Sequence, residues 1–502
     1  MACSYPFSSN NAYIVSLFTL ASALIIIGQA NDIRKIFLLF TGITFLIWWK
    51  TKNIIVSSFL VSLFCLQFFQ PNKYYMIEVI KGNAFDSADF LQGHQIGYGL
   101  NIPNAFLIMT GFFWIREIIR KKIIIRLSHY KVFLPIFFSA LGFITISQYA
   151  IVKYSAFKDL SLVWLFQYMQ LFTVAFIMLY LFVTQKKYFY LIYPVFFVSL
   201  ALQFYISIKQ FIGQSFVGLP IESGSGSFFQ AGLDENNAVF RVAGSFMFHN
   251  QLALIILVLT AIIFPVVIEK YSPPKTFILL ISLITIALTQ SRSVWLALIP
   301  ICIMAYFYFK KEIARIIVLF SIKRIIIYSI IFLLSLSFVI FPRIILSLNA
   351  LYQGAGIPLR VQLINEGIEA FLGNPFVGYG PGTNEYVLYT LSPKGVMTEF
   401  PAPVHMAFLQ LAMETGLLGV SLFVFPFLYL SRIIINLFIQ KSIKINQLKE
   451  YIFPFISGSI AFLVYYLFLA HVGIIEFAYL GIILGFGMIS VFSIRYAKQK
   501  NG

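Results

Sequence analysis

The sequence predicts an all-α polytopic membrane protein, and three observations predict it. Hydrophobic residues make up 60% of the 502 and charged residues only 11%, a balance that excludes a soluble chain of this length. Apolar runs recur from near the N-terminus almost to the end, each close to the ~20 residues a helix needs to cross a hydrocarbon core of roughly 30 Å. Lys and Arg concentrate in alternate connections between those runs, as the positive-inside rule expects of a multi-pass protein.

In order, the runs fall at 12–29, 36–49, 54–69, 101–115, 132–151, 162–183, 188–208, 249–268, 276–290, 293–309, 325–341, 407–431, 451–470 and 477–494. Those at 36–49, 101–115 and 276–290 are short, so the chain holds about 12–14 transmembrane helices. With all of them crossing and both termini cytoplasmic, the inner connections carry 24 of the 36 Lys and Arg and only Glu117, Glu269, Glu312 and Glu450 in return. The net charge of +18 is then mostly a topogenic signal. Contact with anionic membrane lipids suffices to explain it, and no nucleic-acid partner is needed. The first ten residues show neither a basic segment nor a small-residue cleavage site, so the first run is expected to be an uncleaved anchor. Cys3, Cys65 and Cys302 have no spacing for a disulfide framework or a zinc site.

The chain reads as a single transmembrane domain, 1–502, with its long connections on the outer side. These are 70–100, 209–248 and 342–406, the last a large outer loop of about 65 residues. Function is sought there, because long loops between rigid spans commonly carry it. The stretch ESGSGSFFQAGLDENN within 209–248 is either a flap that closes over a site or a mobile linker. No internal repeat supports an inverted-repeat transporter.

Four of the five histidines, His94, His249, His405 and His471, fall on the outer side. No pair has metal-ligand spacing on a helix, so no metal site is expected. His405 stands just before the 407–431 span, where an imidazole titrating near neutral pH is able to accept a proton from a hydroxyl. Taken alone, His405 reads as an interfacial histidine at a helix start with no chemistry. Glu414 lies nine residues on, on the opposite helical face, and a carboxylate there should face a partner helix or a polar cavity.

Three outer arginines carry more information. Arg241 opens RVAGSFMFHNQLA, Arg292 sits in TQSRSVWLAL between two spans with almost no loop, and Arg360 begins RVQLINEGIEAFLGNPFVGYGPG. Each by itself reads as an interfacial anchor. Arg292, however, sits at the membrane surface on the side disfavoured for cations, and paired guanidinium groups there suit a lipid-linked phosphate. The glycines of GNPFVGYGPG lack the GK[ST] ending of a phosphate loop, and turn formation explains them better.

These segments together resemble the O-antigen ligase and polymerase superfamily over about 240–420. RVAGSFMFHNQLA resembles the family's R-x-x-G-[ST]-F-x-N-P-N-x-x-A element, and TQSRSVWLAL its S-R-[GS] turn. RVQLINEGIEAFLGNPFVGYGPG resembles its Arg-to-N-P-x-x-G-x-G-x-G segment, and PVHMAFLQLAMETGLLG its H-N-x-[FY]-L-x-x-x-x-E-x-G-x-x-G element. Phe248 and His249 replace the usual Asn and Pro, and Met406 replaces the Asn that commonly follows the histidine. The resemblance implies a membrane glycosyltransferase in a bacterial inner membrane with its site on the periplasmic face. It implies a metal-free, cofactor-free inverting transfer of a glycan from undecaprenyl pyrophosphate. His405 would be the base, and Arg241, Arg292 and Arg360 the pyrophosphate or glycan contacts, with Asn250, Glu414, Gly378 and Gly380 in support. Lipid A-core is the acceptor favoured by the long loop before the histidine. Another prenyl-linked repeat, as for a polymerase, or a protein hydroxyl, as for an oligosaccharyltransferase, remain as alternatives. Asp86, Asp89 and Asp234 leave a metal-dependent route open. A polysaccharide or lipid transporter is the competing class, disfavoured by the scarcity of charge within the spans.

Overall fold

The computed structural model describes residues 9–27, 33–68, 102–121, 132–156, 158–215, 217, 230–231, 239–246, 248–269, 273–319, 341, 345, 357–391, 404, 406–439, 449–468 and 474–501. Those residues form an all-α membrane fold, relieved by a two-residue antiparallel pairing of Gln230–Ala231 (β1) with Val239–Phe240 (β2). Nine helices among them are long and apolar enough to cross a membrane, and three shorter apolar helices accompany them. Thirteen of the fourteen predicted runs lie on a described helix, while 325–341 lies almost wholly outside the described residues.

The chain opens with α1 (Ser9–Ile27), α2 (Ile33–Thr51), α3 (Ile54–Cys65) and α4 (Ile102–Lys121), followed by α5 (Phe133–Tyr154) and α6 (Lys158–Thr184). A single turn, α7 (Lys186–Phe189), leads into α8 (Ile192–Gly213), and after β1 and β2 come α9 (His249–Glu269), α10 (Pro273–Thr289) and α11 (Arg292–Leu319). The last group is α12 (Ile357–Gly373), α13 (Asn384–Leu391), α14 (Ala407–Ile439), α15 (Lys449–Phe468) and α16 (Ile474–Asn501). The helices divide into two compact units.

The first unit takes Met1–Gln70, Asn101–Lys122 and Tyr180–Leu346. In it α3 packs on α2 and α4, and α10 packs on α8 and α9. Lipid-like surroundings give no hydrophobic drive between helices, so small polar groups join them. The Thr110 hydroxyl donates to Ser58 Oγ at 2.8 Å and the Ser62 hydroxyl to the Pro103 carbonyl at 3.1 Å. Asn53 starts α3 by accepting from the N–H groups of Ile55 and Val56 at 3.0 and 3.1 Å, the usual role of an N-cap side chain.

The second unit takes Pro71–Leu100, Ile123–Leu179 and Ser347–Gly502. Here α14 packs on α5, α12 and α16, and α15 packs on α16. Gly481 and Gly485, one turn apart on α16, let it close on α6: a Cβ at Gly481 would lie 2.6 Å from the Leu171 carbonyl oxygen and one at Gly485 2.9 Å from Met178. The predicted loop 342–406 is partly helical, since it contains α12 and α13. Leu363, Gly367 and Ala370 form one stripe of α12, and Leu363 and Ala370 are buried in a small core with Val387, Leu388, Val404 and Met413. That stripe repeats at i, i+4 and i+7 and ends on Gly373, a helix pattern with its stop signal.

Candidate functional site

The predicted residues fall into two groups, one in each unit. In the first unit Arg241 is 6% exposed. Its Nε donates to the Thr289 carbonyl at 3.1 Å, and one terminal nitrogen donates to the Gln290 carbonyl at 3.2 Å and to Asn250 Oδ1 at 3.2 Å. Thr289 is the last residue of α10, so the guanidinium caps that helix with a cation where its unpaired carbonyls concentrate negative charge. Through Asn250 it also ties down the first turn of α9.

The α10–α11 connection is two residues long. Gln290 takes a left-handed backbone, φ 54°, to reverse the chain. Ser291 then receives the Trp295 N–H on its carbonyl at 3.1 Å, starting α11. Arg292 is the first residue of α11 and is exposed. Arg241 and Arg292 are expected to share one task, but their surroundings differ: one is a buried brace, the other a presented cation.

The second group is built around a broken helix. Within α14, Gly416 has φ 65° and ψ −178°, so the span consists of two helical pieces. A break strands carbonyls of the first piece and N–H groups of the second, and in an apolar setting each needs a partner. The segment Asn374–Gly382 supplies them. Tyr379 and Gly380 donate their N–H groups to the carbonyls of Met413 and Glu414 at 2.9 and 2.8 Å, and Leu417 and Leu418 donate to those of Pro375 and Phe376 at 2.8 and 3.2 Å. The GNPFVGYGPG run and the ETGLLG run are therefore two sides of one construction.

Gly378, with φ 70°, is buried where a Cβ would lie 2.5 Å from the Glu414 carbonyl carbon. Gly380, with φ 105°, rests on Ser155, 3.1 Å from where its Cβ would stand. A Cβ at Gly416 would meet the Phe376 carbonyl carbon at 2.2 Å. The Asn374 amide closes the turn on the Gly378 carbonyl at 2.6 Å. Partial burial pushes the Tyr379 phenol above its ordinary value, which keeps it a neutral O–H group.

Glu414 is fully buried, and four donors converge on it. The Tyr168 hydroxyl and the Gly382 N–H reach Oε2 at 2.7 and 2.8 Å, and the amides of Asn384 and Gln410 reach Oε1 at 2.6 and 3.2 Å. The carboxylate thus joins α6, the 378–384 segment and α14, and it faces a partner helix as the sequence anticipates. Arg360 is exposed in the first turn of α12. His405 lies outside the described residues. Its neighbours are described: Val404 is buried and Met406 half-buried, directly ahead of α14.

Sequence reasoning missed three features. It missed Gln203 and Gln210 on α8, both buried, whose signal was a pair of amides in an apolar helix. It missed the break at Gly416, which carries no signal because glycine is common within spans. It also missed Glu476, buried in the first turn of α16. Among the described residues no three of His, Cys, Asp and Glu gather closely enough to hold a metal ion, and Asp86, Asp89 and Asp234 lie outside those residues.

Residues 277–424 match the family model described as O-antigen ligase. Three of the four motifs fall within that stretch, and the Arg241 motif precedes it. No curated protein matches the chain.

Proposed function

On the premise that this chain is an O-antigen ligase-related membrane protein, we propose that it moves a preassembled glycan from undecaprenyl pyrophosphate to an acceptor hydroxyl on the periplasmic face of a bacterial inner membrane. The observation that carries this reading is the exposed Arg292 at the head of α11, held by the buried Arg241 through the carbonyls just before it. A permanently charged, forked donor on a rigid mount is what a lipid-linked pyrophosphate leaving group requires, because negative charge grows on it as the bond breaks.

His405 takes the proton from the acceptor hydroxyl. The hydroxyl oxygen then attacks the anomeric carbon in line with the departing bond, forming the new glycosidic bond. The old C–O bond breaks, and undecaprenyl pyrophosphate leaves with the electron pair and with inverted configuration at the sugar. Arg292 neutralises the pyrophosphate directly, Arg241 adds its positive charge from behind and Arg360 contacts phosphate or glycan. Asn250, Gly378, Gly380 and Glu414 hold the two groups of residues in shape. Neither a metal nor a cofactor enters this scheme.

Lipid A-core is the proposed acceptor. Purified protein in lipid, given a glycan on undecaprenyl pyrophosphate together with lipid A-core, should yield glycan on lipid A-core by gel mobility. A lengthening ladder on the prenyl carrier would instead identify a polymerase. An untouched donor that crosses the bilayer would identify a transporter.

A further inference from the structure

What fixes Arg292 in space reaches back beyond the motifs. Helix α8 is apolar, yet it buries two glutamines, Gln203 and Gln210, seven residues apart. That spacing is close to two helical turns, so both amides lie on one face. Gln210 Oε1 accepts from the N–H groups of Ala243 at 3.1 Å and Gly244 at 2.8 Å, and its Nε2 donates to the Gly244 carbonyl at 2.8 Å. Gln203 Oε1 accepts from the Ser245 N–H at 3.0 Å, and its Nε2 donates to Ser245 Oγ at 2.5 Å and to Gln67 Oε1 at 3.1 Å. The Ser245 hydroxyl donates in turn to the Gln67 carbonyl at 2.5 Å.

Three consecutive backbone positions thus find their partners on the side chains of another helix instead of in a ladder. The grip is close: Gly244 has φ 60°, and a Cβ there would stand 2.4 Å from Gln203 Oε1. Buried backbone groups leave little freedom once paired in this way. Arg241 lies two residues before the gripped turn, and its guanidinium holds the carbonyls of Thr289 and Gln290. Arg292 follows those carbonyls with only Ser291 between.

We propose that Gln210, with Gln203 beside it, is a positioning residue for donor binding. By fixing Ala243–Ser245 it fixes Arg241, and through Arg241 the aim of Arg292. This rests on the reading of Arg292 as the pyrophosphate contact. Neither glutamine touches the reacting atoms, and the effect of losing one passes through Arg292.

The test uses the full chain in lipid nanodiscs, with farnesyl pyrophosphate as the probe and binding followed by titration. Arg292→Ala should weaken binding about tenfold or more, as for loss of a charge-assisted contact. Gln210→Met, of similar length without the amide, should weaken it roughly three- to tenfold. The double variant should bind no more weakly than Arg292→Ala alone, and in transfer assays Gln210→Met should raise the donor KM while the acceptor KM holds, a split that general loss of stability would not produce. Wild-type affinity in Gln210→Met, or effects that add in full in the double variant, would overturn the proposal. Wild-type affinity in Arg292→Ala would remove the pyrophosphate reading itself. Should Gln210→Met fail to insert, Gln210→Asn, which keeps the amide one methylene short, is titrated in its place with the same expectation.

Discussion

The two units hold their motifs by opposite means. In the first, side chains grip backbone: a guanidinium takes two carbonyls, and two glutamine amides take a turn of three residues. In the second, backbone grips backbone, and one carboxylate with four donors closes the arrangement. Tolerance to substitution should differ accordingly. A side-chain grip is dismantled one bond at a time, whereas a backbone grip depends on glycines that no other residue replaces.

The largest effect is expected of Gly416→Ala. The new Cβ would meet the Phe376 carbonyl in a left-handed backbone, so the variant should lose about 3 kcal/mol or more and fail to give monodisperse protein in detergent. Accumulation at the wild-type level would show that the helix break is dispensable. Next comes Glu414→Ala, which orphans four donors around a fully buried site. A loss of ~2–4 kcal/mol is expected, read as a lowered unfolding temperature. A shift no larger than that of an exposed control would deny the carboxylate its joining role.

Arg241→Lys probes the side-chain grip of the first unit. The charge stays but the fork is lost, so the contacts with Thr289, Gln290 and Asn250 cannot all be kept. That should cost ~1–2 kcal/mol and raise the donor KM, and equal affinity in the two proteins would mean that charge alone matters. Asn250→Ala removes only the Asn250 contact of Arg241 and leaves those with Thr289 and Gln290, and its loss should stay near ~1 kcal/mol in the same thermal measurement.

How much of this was legible in the sequence follows from what each feature depends on. Spans depend on composition over ~20 residues, and the runs are continuous enough to read. The tight turn before Arg292 was legible too, because two apolar runs almost touch. The α12 stripe was readable from its spacing but was hidden by treating 342–406 as one loop. The grip of Gln203 and Gln210 closes on a turn more than thirty positions further along the chain, so the two amides mark a polar contact of α8 without revealing its partner. Gly416 breaks its helix only because Pro375 and Phe376 receive the freed N–H groups. Without that partner, the same glycine would sit quietly within a span.

The proposed glycan transfer stands or falls with His405 as the base. The direct measurement is single-turnover transfer from a glycan on undecaprenyl pyrophosphate to lipid A-core, comparing wild type with His405→Ala in nanodiscs at matched protein. The variant should be inserted and monodisperse, with a rate lower by roughly 10²-fold or more and donor binding retained. A variant that transfers at the wild-type rate would contradict that role of His405.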